Sequence, residues 1–231
     1  MTATLTIAAL WIAFAATHVG LSSESTRPRL VARVGTAGYQ GLYALVALAI
    51  FVPLVWIYLG HRHQGPVLWT SVGPYAVAKH LNFLLMGIAF ALLVCSFLPS
   101  GTGVRAFLPG ARYEVRGILP ITRHPMNVAF GLFGLAHLLV NGFASDVAFF
   151  AGWPLFAYLG SVHQDRRLAR DKVGYHDMMR QTSIVPFAAL LGRRVAIRAG
   201  DLPWIGIAAG LALAVLTRTH HAAILAAITP S

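Results

Sequence analysis

Histidine is the residue type whose chemistry stands out, because ten imidazoles occur in a chain with only seven acidic residues. An ionisable side chain inside an apolar segment is costly, so each one placed there indicates a functional site. His18 lies near the end of an apolar run, while His124 opens a later run and His137 lies well inside it. Neutral imidazoles from two helices are natural ligands for haem iron in a bundle. The other seven lie in loops or near helix ends, as interfacial polar side chains often do: His61, His63, His80, His163, His176, His220 and His221.

The surroundings of His137 favour two interpretations. Gly134 lies about one helical turn before it and Gly131 one turn further, so a slot is expected on this face. A second helix can fill that slot by close packing, or a macrocycle can fill it with His137 on its iron. Asn141 follows one turn later, where its amide is placed to hydrogen-bond the imidazole and fix its tautomer.

The segment Arg123-His124-Pro125 has the pattern of a helix N-terminus. Proline is favoured in the first turn of a helix, and the unpaired N–H groups there attract anions. Arg123 and His124 are therefore candidates for binding a cofactor propionate or a phosphate. An anchor to a lipid headgroup is the alternative.

Several other kinds of site are excluded by residue type. No pair of carboxylates has the spacing of a hydrolase, and no glycine-rich segment resembles a phosphate-binding loop. The single cysteine, Cys95, rules out an intrachain disulfide and a thiolate-only metal site. Because Cys95 lies within an apolar run, we predict that it is a small buried hydrophobic residue.

Composition predicts a membrane protein of the all-α class. Of 231 residues, 57% are hydrophobic and 11% are charged, against about 25% charged in soluble domains. The first apolar run lacks a basic start, so we expect a retained span and not a secretory signal. We predict one transmembrane helix bundle over residues 1–231, with about six spans. The apolar runs are 4–21, 39–59, 80–98, 118–141, 144–161 and 202–217, and the shorter piece Ile184–Leu191 is expected at the interface or as a re-entrant segment.

The distribution of the basic residues predicts an orientation. The net charge is +11, but no basic block with interleaved aromatic residues indicates nucleic-acid binding. Of the 18 Lys and Arg residues, 15 fall in the first, third and fifth loops between the apolar runs. Positive residues prefer the cytoplasmic side. We therefore expect a multi-pass protein of the inner (plasma) membrane with both termini in the periplasm.

Beyond these patterns, the chain resembles the NnrU family, and through it the plant and cyanobacterial 15-cis-zeta-carotene isomerases. The matching pieces occur in order along nearly the whole chain. They are His18 to Ser23, His61-Arg62 with Gly65 and Leu68-Trp69, Ile121 to Met126, Leu135 to Leu138 with Asn141-Gly142, Asp165 to Leu168, and Arg180 to Ser183 with Pro186 to Ala189.

The resemblance implies a membrane protein that binds haem b. The two iron ligands of the isomerases match His18 and His137, and the implied activity is cis-to-trans isomerisation of a polyene such as a carotenoid. NnrU proteins are also associated with denitrification, which implies as an alternative a non-catalytic haem protein that supports nitric oxide metabolism. The isomerases carry a cysteine three residues before the second ligand, and this chain has Gly134 there.

A second resemblance links Arg123-His124-Pro125, Asp165 and the segment from Tyr175 to Pro186 to membrane methyltransferases of the isoprenylcysteine type. Those enzymes bind S-adenosylmethionine through an Arg-His-Pro motif and a downstream glutamate. Here the acid is Asp165, and Asn127 stands where those enzymes have a tyrosine.

The partner of His18 stays open between two histidines. In a straight helix, His124 and His137 are separated by about 20 Å of rise. The depth of His18 near the end of its run matches His124 better, whereas the resemblance pairs His18 with His137. We predict His18 and His137 as the ligands, with His124 as the reserve ligand or propionate contact.

Overall fold

The computed structural model describes residues 1–98 and 114–229. Within these ranges the chain contains nine α-helices and a short 3-10 helix, and a lone bridge joins Val67 to Phe143. The predicted all-α class is therefore confirmed. The helices are α1 (Thr2–Leu21), α2 (Thr26–Gly60), α3 (Tyr75–Ser96), α4 (Pro125–Leu138), α5 (Ala144–Asp171), α6 (Tyr175–Gln181), α7 (Ala188–Leu191), α8 (Trp204–Thr219) and α9 (His221–Ile228).

The outward faces of the longest helices are apolar. Helices α1, α2 and α3 are long and apolar enough to cross a membrane, and α8 with α9 makes a fourth span if this pair, bent by 67°, counts as one. Ile12 on α1 is 71% exposed and Leu45 on α2 is 65% exposed. Lipid solvates such a surface, whereas soluble monomers rarely expose large contiguous apolar patches to water. The chain is thus an α-helical membrane protein.

The predicted number of about six spans is not confirmed by the helix lengths. The predicted run 118–141 contains only the 14-residue helix α4, which is about 21 Å long. That length is less than the roughly 30 Å of a bilayer's hydrocarbon core. Residues 117–121 form turns before the helix begins. Helix α5 has 28 residues, but beyond residue 161 it is rich in charged residues, and it is not among the candidate spans.

The other predicted runs correspond to helices whose ends differ from the prediction. Runs 4–21, 80–98, 144–161 and 202–217 overlap α1, α3, α5 and α8. Run 39–59 begins earlier than predicted, because α2 starts at Thr26. Gly35, with φ 74°, breaks α2 into a short basic segment and a long apolar segment. Pro53 lies inside the apolar segment without a break, as membrane helices tolerate.

Helix α5 lies between the two helices that carry the predicted iron ligands. It packs against α1 on one side and α4 on another, while α4 also packs against α3, and α3 against α8. Two glycines allow the close approach. A Cβ at Gly134 of α4 would overlap the carbonyl oxygen of Phe150, and a Cβ at Gly152 of α5 would overlap the Trp11 ring. Small residues at helix contacts are typical of membrane bundles, which associate by close packing.

An aromatic cluster fills the space among α1, α2, α4 and α5. It is anchored by buried rings, around which other rings and aliphatic side chains pack. Edge-to-face pairs dominate, for example Trp11 with Trp153 at 5.5 Å between ring centroids. The rings of this cluster are Trp11, Phe14, Phe51, Tyr58, Phe133, Phe149, Phe150, Trp153 and Phe156.

A loop of residues 61–73 is fixed to the turn between α4 and α5. The backbone N–H of Leu68 donates to the Gly142 carbonyl at 2.8 Å, and that of Val72 donates to the Leu139 carbonyl at 2.9 Å. The indole of Trp69 donates to the carbonyl of Leu138 at 2.9 Å. This loop therefore covers the end of the bundle at which α4 finishes.

Two further sequence predictions concern single residues. Cys95 is fully buried in a separate apolar cluster with Ala89 and Leu92, which confirms its predicted role as a buried hydrophobic residue. Arg105 and Arg112, which belong to the third loop of the charge count, lie outside the described residues.

Candidate functional sites

His18 faces an apolar and aromatic environment on α1. Its ring lies 5.2 Å from that of Phe14, 4.6 Å from that of Tyr43 and 5.1 Å from that of Phe156. Its Nδ1 atom is buried and lacks a hydrogen-bond partner among the described residues. A narrow crevice between α1 and α2, too tight to admit a water molecule, runs beside the ring. A buried polar atom without a partner is uncommon and calls for a ligand or another explanation.

His137 is held in one tautomer near the end of α4. Its Nδ1–H donates to the carbonyl of Phe133 at 2.8 Å, so Nε2 carries the free lone pair. The ring stacks on Phe150 with centroids 4.5 Å apart and 16° between the planes. Asn141 does not bond the imidazole as predicted. Its amide donates instead to the backbone carbonyl of His137 at 2.9 Å.

The structure does not bring His18 and His137 into contact. Each imidazole packs against a different ring of α5, Phe156 for His18 and Phe150 for His137. These two rings are separated by about 9 Å of helical rise. The slot predicted at Gly134 is filled by helix α5, which is the packing interpretation of that glycine. A cofactor contact at Gly134 or Asn141 stays a prediction.

Arg123 and His124 do come together, in a polar network centred on Asp165. The Arg123 guanidinium donates to both Asp165 oxygens, with the shortest contact at 2.6 Å. The His124 Nε2–H donates to the same carboxylate at 2.7 Å, and the Tyr175 hydroxyl donates at 2.6 Å. Arg123 also donates to the Thr182 carbonyl at 3.2 Å. All five residues are at most 9% exposed.

The electrostatics of this network favour an ionised carboxylate. Asp165 lies beyond the apolar part of α5, which ends near residue 161. Burial raises the pKa of Asp165, but the hydrogen bonds from His124, Arg123 and Tyr175 outweigh burial and bring the pKa to about 2. The helix N-terminus predicted here is present, since α4 begins at Pro125 with His124 as the preceding residue.

The network explains why the residues of the methyltransferase resemblance occur together. Arg123, His124, Asp165 and Tyr175 bind one another and so attach the segment around α6 to the bundle. Their mutual hydrogen bonds give each residue a structural role. A cofactor contact at Arg123 or His124 stays a prediction.

A second buried carboxylate was missed by the sequence analysis. Asp146, in the first turn of α5, is 0% exposed. Its Oδ2 accepts from His63 Nδ1–H at 2.8 Å, and its Oδ1 accepts from the Tyr58 hydroxyl at 3.2 Å. The sequence signal was a carboxylate inside a predicted span, which indicates function as an intramembrane histidine does.

The donor chemistry of His18 and His137 fits the ligation of haem iron. His18 has a buried nitrogen without a partner, and His137 has its Nδ1 fixed by a carbonyl so that Nε2 can coordinate. The indole nitrogen of Trp153, within the same cluster, also lacks a partner among the described residues. Rings of this cluster fill the space between α1 and α4, so the described residues, as placed, do not leave room for a macrocycle between the two imidazoles.

The chain is a helical membrane protein whose outward faces are apolar. Imidazoles and carboxylates form polar sites in its interior. The family model described as NnrU protein matches residues 6–228. The chain therefore belongs to the NnrU protein family.

Two curated relatives show the same similarity. The chain is 30% identical over 186 residues to a protein named 15-cis-zeta-carotene isomerase, chloroplastic, from Zea mays, and the match covers 80% of this chain and 50% of that protein. It is also 30% identical over 194 residues to the protein of that name from Arabidopsis thaliana, with the same coverage. The chain thus spans about half the length of these relatives. No solved structure gives a significant match.

Proposed function

We propose that this chain is a haem b-binding membrane protein that isomerises a cis double bond of a polyene, with His18 and His137 as the iron ligands. The similarity to proteins named 15-cis-zeta-carotene isomerase supports the reaction class. The observation that carries the cofactor is the buried Nδ1 of His18, which lacks a hydrogen-bond partner among the described residues. Bound haem would supply an iron centre for transient electron transfer or Lewis-acid interaction with a conjugated double bond.

The protein's own residues supply three conditions for this chemistry. The Phe133 carbonyl fixes the His137 tautomer, which keeps Nε2 available. Rings of the aromatic cluster pack against both imidazoles and give each an apolar flank. The lipid-facing helices give a hydrocarbon substrate access from the bilayer, so a polyene does not have to cross water.

The cofactor is tested by absorption spectra of the purified protein, oxidised and reduced, after expression with iron. We expect a Soret band in the wild-type protein. The substitutions His18→Ala and His137→Ala should each lower haem affinity by about 10- to 100-fold or more. His61→Ala is the matched control, because His61 is exposed and its ring bonds only the Ile57 carbonyl. A wild-type protein without a Soret band would refute the cofactor, and full haem content in both ligand variants would refute the ligand pair.

The reaction is tested separately with the reduced haem protein and 15-cis-zeta-carotene in detergent or vesicles. The proposal expects conversion to the trans isomer at that bond, and loss of conversion in His18→Ala. Reduced protein that binds nitric oxide yet leaves every tested cis-polyene unchanged would refute the isomerase. That result would favour the non-catalytic role in nitric oxide metabolism.

A further inference from the structure

Three large apolar side chains are exposed on the short segment that contains α7. Val185 is 60% exposed, Phe187 is 47% exposed and Leu191 is 83% exposed, although this segment belongs to none of the candidate spans. Ala189 between them is 0% exposed, so one side of the segment is packed into the protein and the other side faces outward. A cluster of exposed apolar side chains indicates contact with a membrane or a partner.

Hydrogen bonds hold this segment against the residues that precede α4. The backbone N–H of Phe187 donates to the Ile121 carbonyl at 2.9 Å, and the Thr122 hydroxyl donates to the Ile184 carbonyl at 2.8 Å. Phe187 has φ 64°, a left-handed conformation that is unusual for a bulky side chain. Such a conformation is costly, and it persists only where the surrounding structure imposes it. The fold therefore holds Phe187 partly exposed instead of turning it into the core.

The segment lies at the level where the apolar region of the bundle ends. Asn127, near the start of α4, donates from its amide to the Ser161 hydroxyl of α5 at 3.0 Å, so these two positions are level with each other. The apolar part of α5 ends near residue 161, and its charged residues follow. Because the segment is bonded to residues 121–123, just before α4, it lies at this boundary. Amphipathic segments lie at such boundaries, in the interface between lipid and water.

Basic residues follow the exposed apolar side chains, and the sequence has no Asp or Glu between Asp177 and Asp201. Arg194 donates to two backbone carbonyls at the end of α6. Arg193 and Arg198 are exposed, and neither makes an ion pair within the part of the chain that the structure describes. Exposed cations beside exposed apolar side chains match the anionic headgroup and the acyl chains of an acidic phospholipid.

We propose that residues 184–198 form a docking surface for acidic phospholipid. The side chains of Val185, Phe187 and Leu191 lie among acyl chains, while Arg193 and Arg198 bind headgroup phosphates. The occupant is lipid because the surface lies at the level where the bundle's own lipid-facing region ends. A zwitterionic lipid would satisfy the apolar side chains but offers no net negative charge to the two cations. The proposal is independent of the haem and of the polyene, because it uses no residue of the proposed haem site.

Insertion is tested with an environment-sensitive fluorophore on the full chain, in vesicles of equal parts phosphatidylcholine and phosphatidylglycerol. In a Cys95→Ala background, Leu191→Cys carries the label, and Asp177→Cys, at an exposed acidic position on α6, is the control. We expect nitroxide-labelled lipid to quench the fluorophore at position 191, and aqueous iodide to quench the fluorophore at position 177. Equal quenching by iodide at both positions would overturn the insertion. Protection at position 191 that is lost at a lower protein-to-lipid ratio would assign the surface to a second copy of the chain, and this result would also overturn the proposal.

Charge recognition is tested by titrating lipid into the protein labelled at position 191, in uncharged detergent, with fluorescence as the readout. Phosphatidylglycerol should bind about 25-fold more tightly than phosphatidylcholine, because each cation near a lipid headgroup contributes about fivefold. The substitutions Arg193→Gln and Arg198→Gln should each reduce this preference by about fivefold. Arg62→Gln is the control, because it removes the same charge at the opposite end of the bundle, where Arg62 bonds Thr229. Equal affinities for the two lipids, or an equal loss in Arg62→Gln, would overturn the assignment.

Discussion

The described interior of this protein holds two carboxylates with different hydrogen-bond donors. Asp165 binds a guanidinium, an imidazole and a phenol, whereas Asp146 binds an imidazole, a phenol and a backbone N–H. Burying a charge costs several kcal/mol unless it is paired and fully hydrogen-bonded. Asp165 therefore has the pattern of a permanent structural anion.

The structural role of Asp165 predicts a large loss of stability in Asp165→Asn. The substitution removes the charge that binds Arg123, and breaking a buried ion pair costs about 3–5 kcal/mol. Thermal unfolding in detergent measures the effect. Asp171→Asn is the matched control on the same helix, because its ion pair with Arg170 is solvent-accessible and should be worth less than about 1 kcal/mol. Equal unfolding temperatures of the two variants would contradict the structural role.

At the scale of helices, α5 determines which residues can meet. It separates α1 from α4, so the imidazoles of those helices pack on different rings of α5. Gly134 and Gly152 permit this arrangement, because a side chain at either position would overlap the neighbouring helix. The sequence left two interpretations of Gly134, close helix packing or contact with a cofactor. In the structure, helix α5 packs against Gly134.

Close packing at Gly134 predicts that Gly134→Ala destabilises the bundle. The new Cβ would overlap a backbone carbonyl of α5, which a side-chain rotation cannot relieve, and overpacking costs about 1–3 kcal/mol. Gly41→Ala is the control, because a Cβ there meets no atom within 4 Å. Alanine should stabilise that helical position by up to about 1 kcal/mol. Thermal unfolding of both variants decides, and a neutral Gly134→Ala would mean that α4 and α5 are further apart.

Much of the helical content could be predicted from the sequence, because apolar composition is a local property. The positions of the helix ends could not be predicted in this way. The predicted run 118–141 fails at its start because Ile121, Thr122 and Arg123 bond to residues 183–187. Those partners lie some 60 positions away, beyond any local window. The histidines were likewise identified by type and depth. Their neighbours depend on the order of the helices, which a helix that is apolar all round does not reveal.

At the scale of the whole molecule, the two ends of the bundle differ in chemistry. The Asp165 network and the basic first segment of α2 are rich in arginine, and the opposite end carries the histidine-bearing loop 61–73. Because α1 and the apolar segment of α2 run in opposite directions through the bundle, the ends alternate along the chain. The His63–Asp146 pair therefore lies at the end opposite to most of the arginines in the described residues.

This polarity predicts which end an impermeant reagent reaches. Gln64 and Ser25 are both exposed, at opposite ends of the bundle. In a background of Cys95→Ala, we expect a membrane-impermeant maleimide to label Gln64→Cys in intact cells and Ser25→Cys only after lysis. The reason is that the positive residues near Ser25 prefer the cytoplasmic side. The Cys95→Ala background leaves the introduced cysteine as the single thiol of the chain. Cys95 itself is fully buried, so its removal does not change the labelled surface. Labelling of both sites after lysis controls for folding. The reverse pattern would place the arginine-rich end outside the cytoplasm.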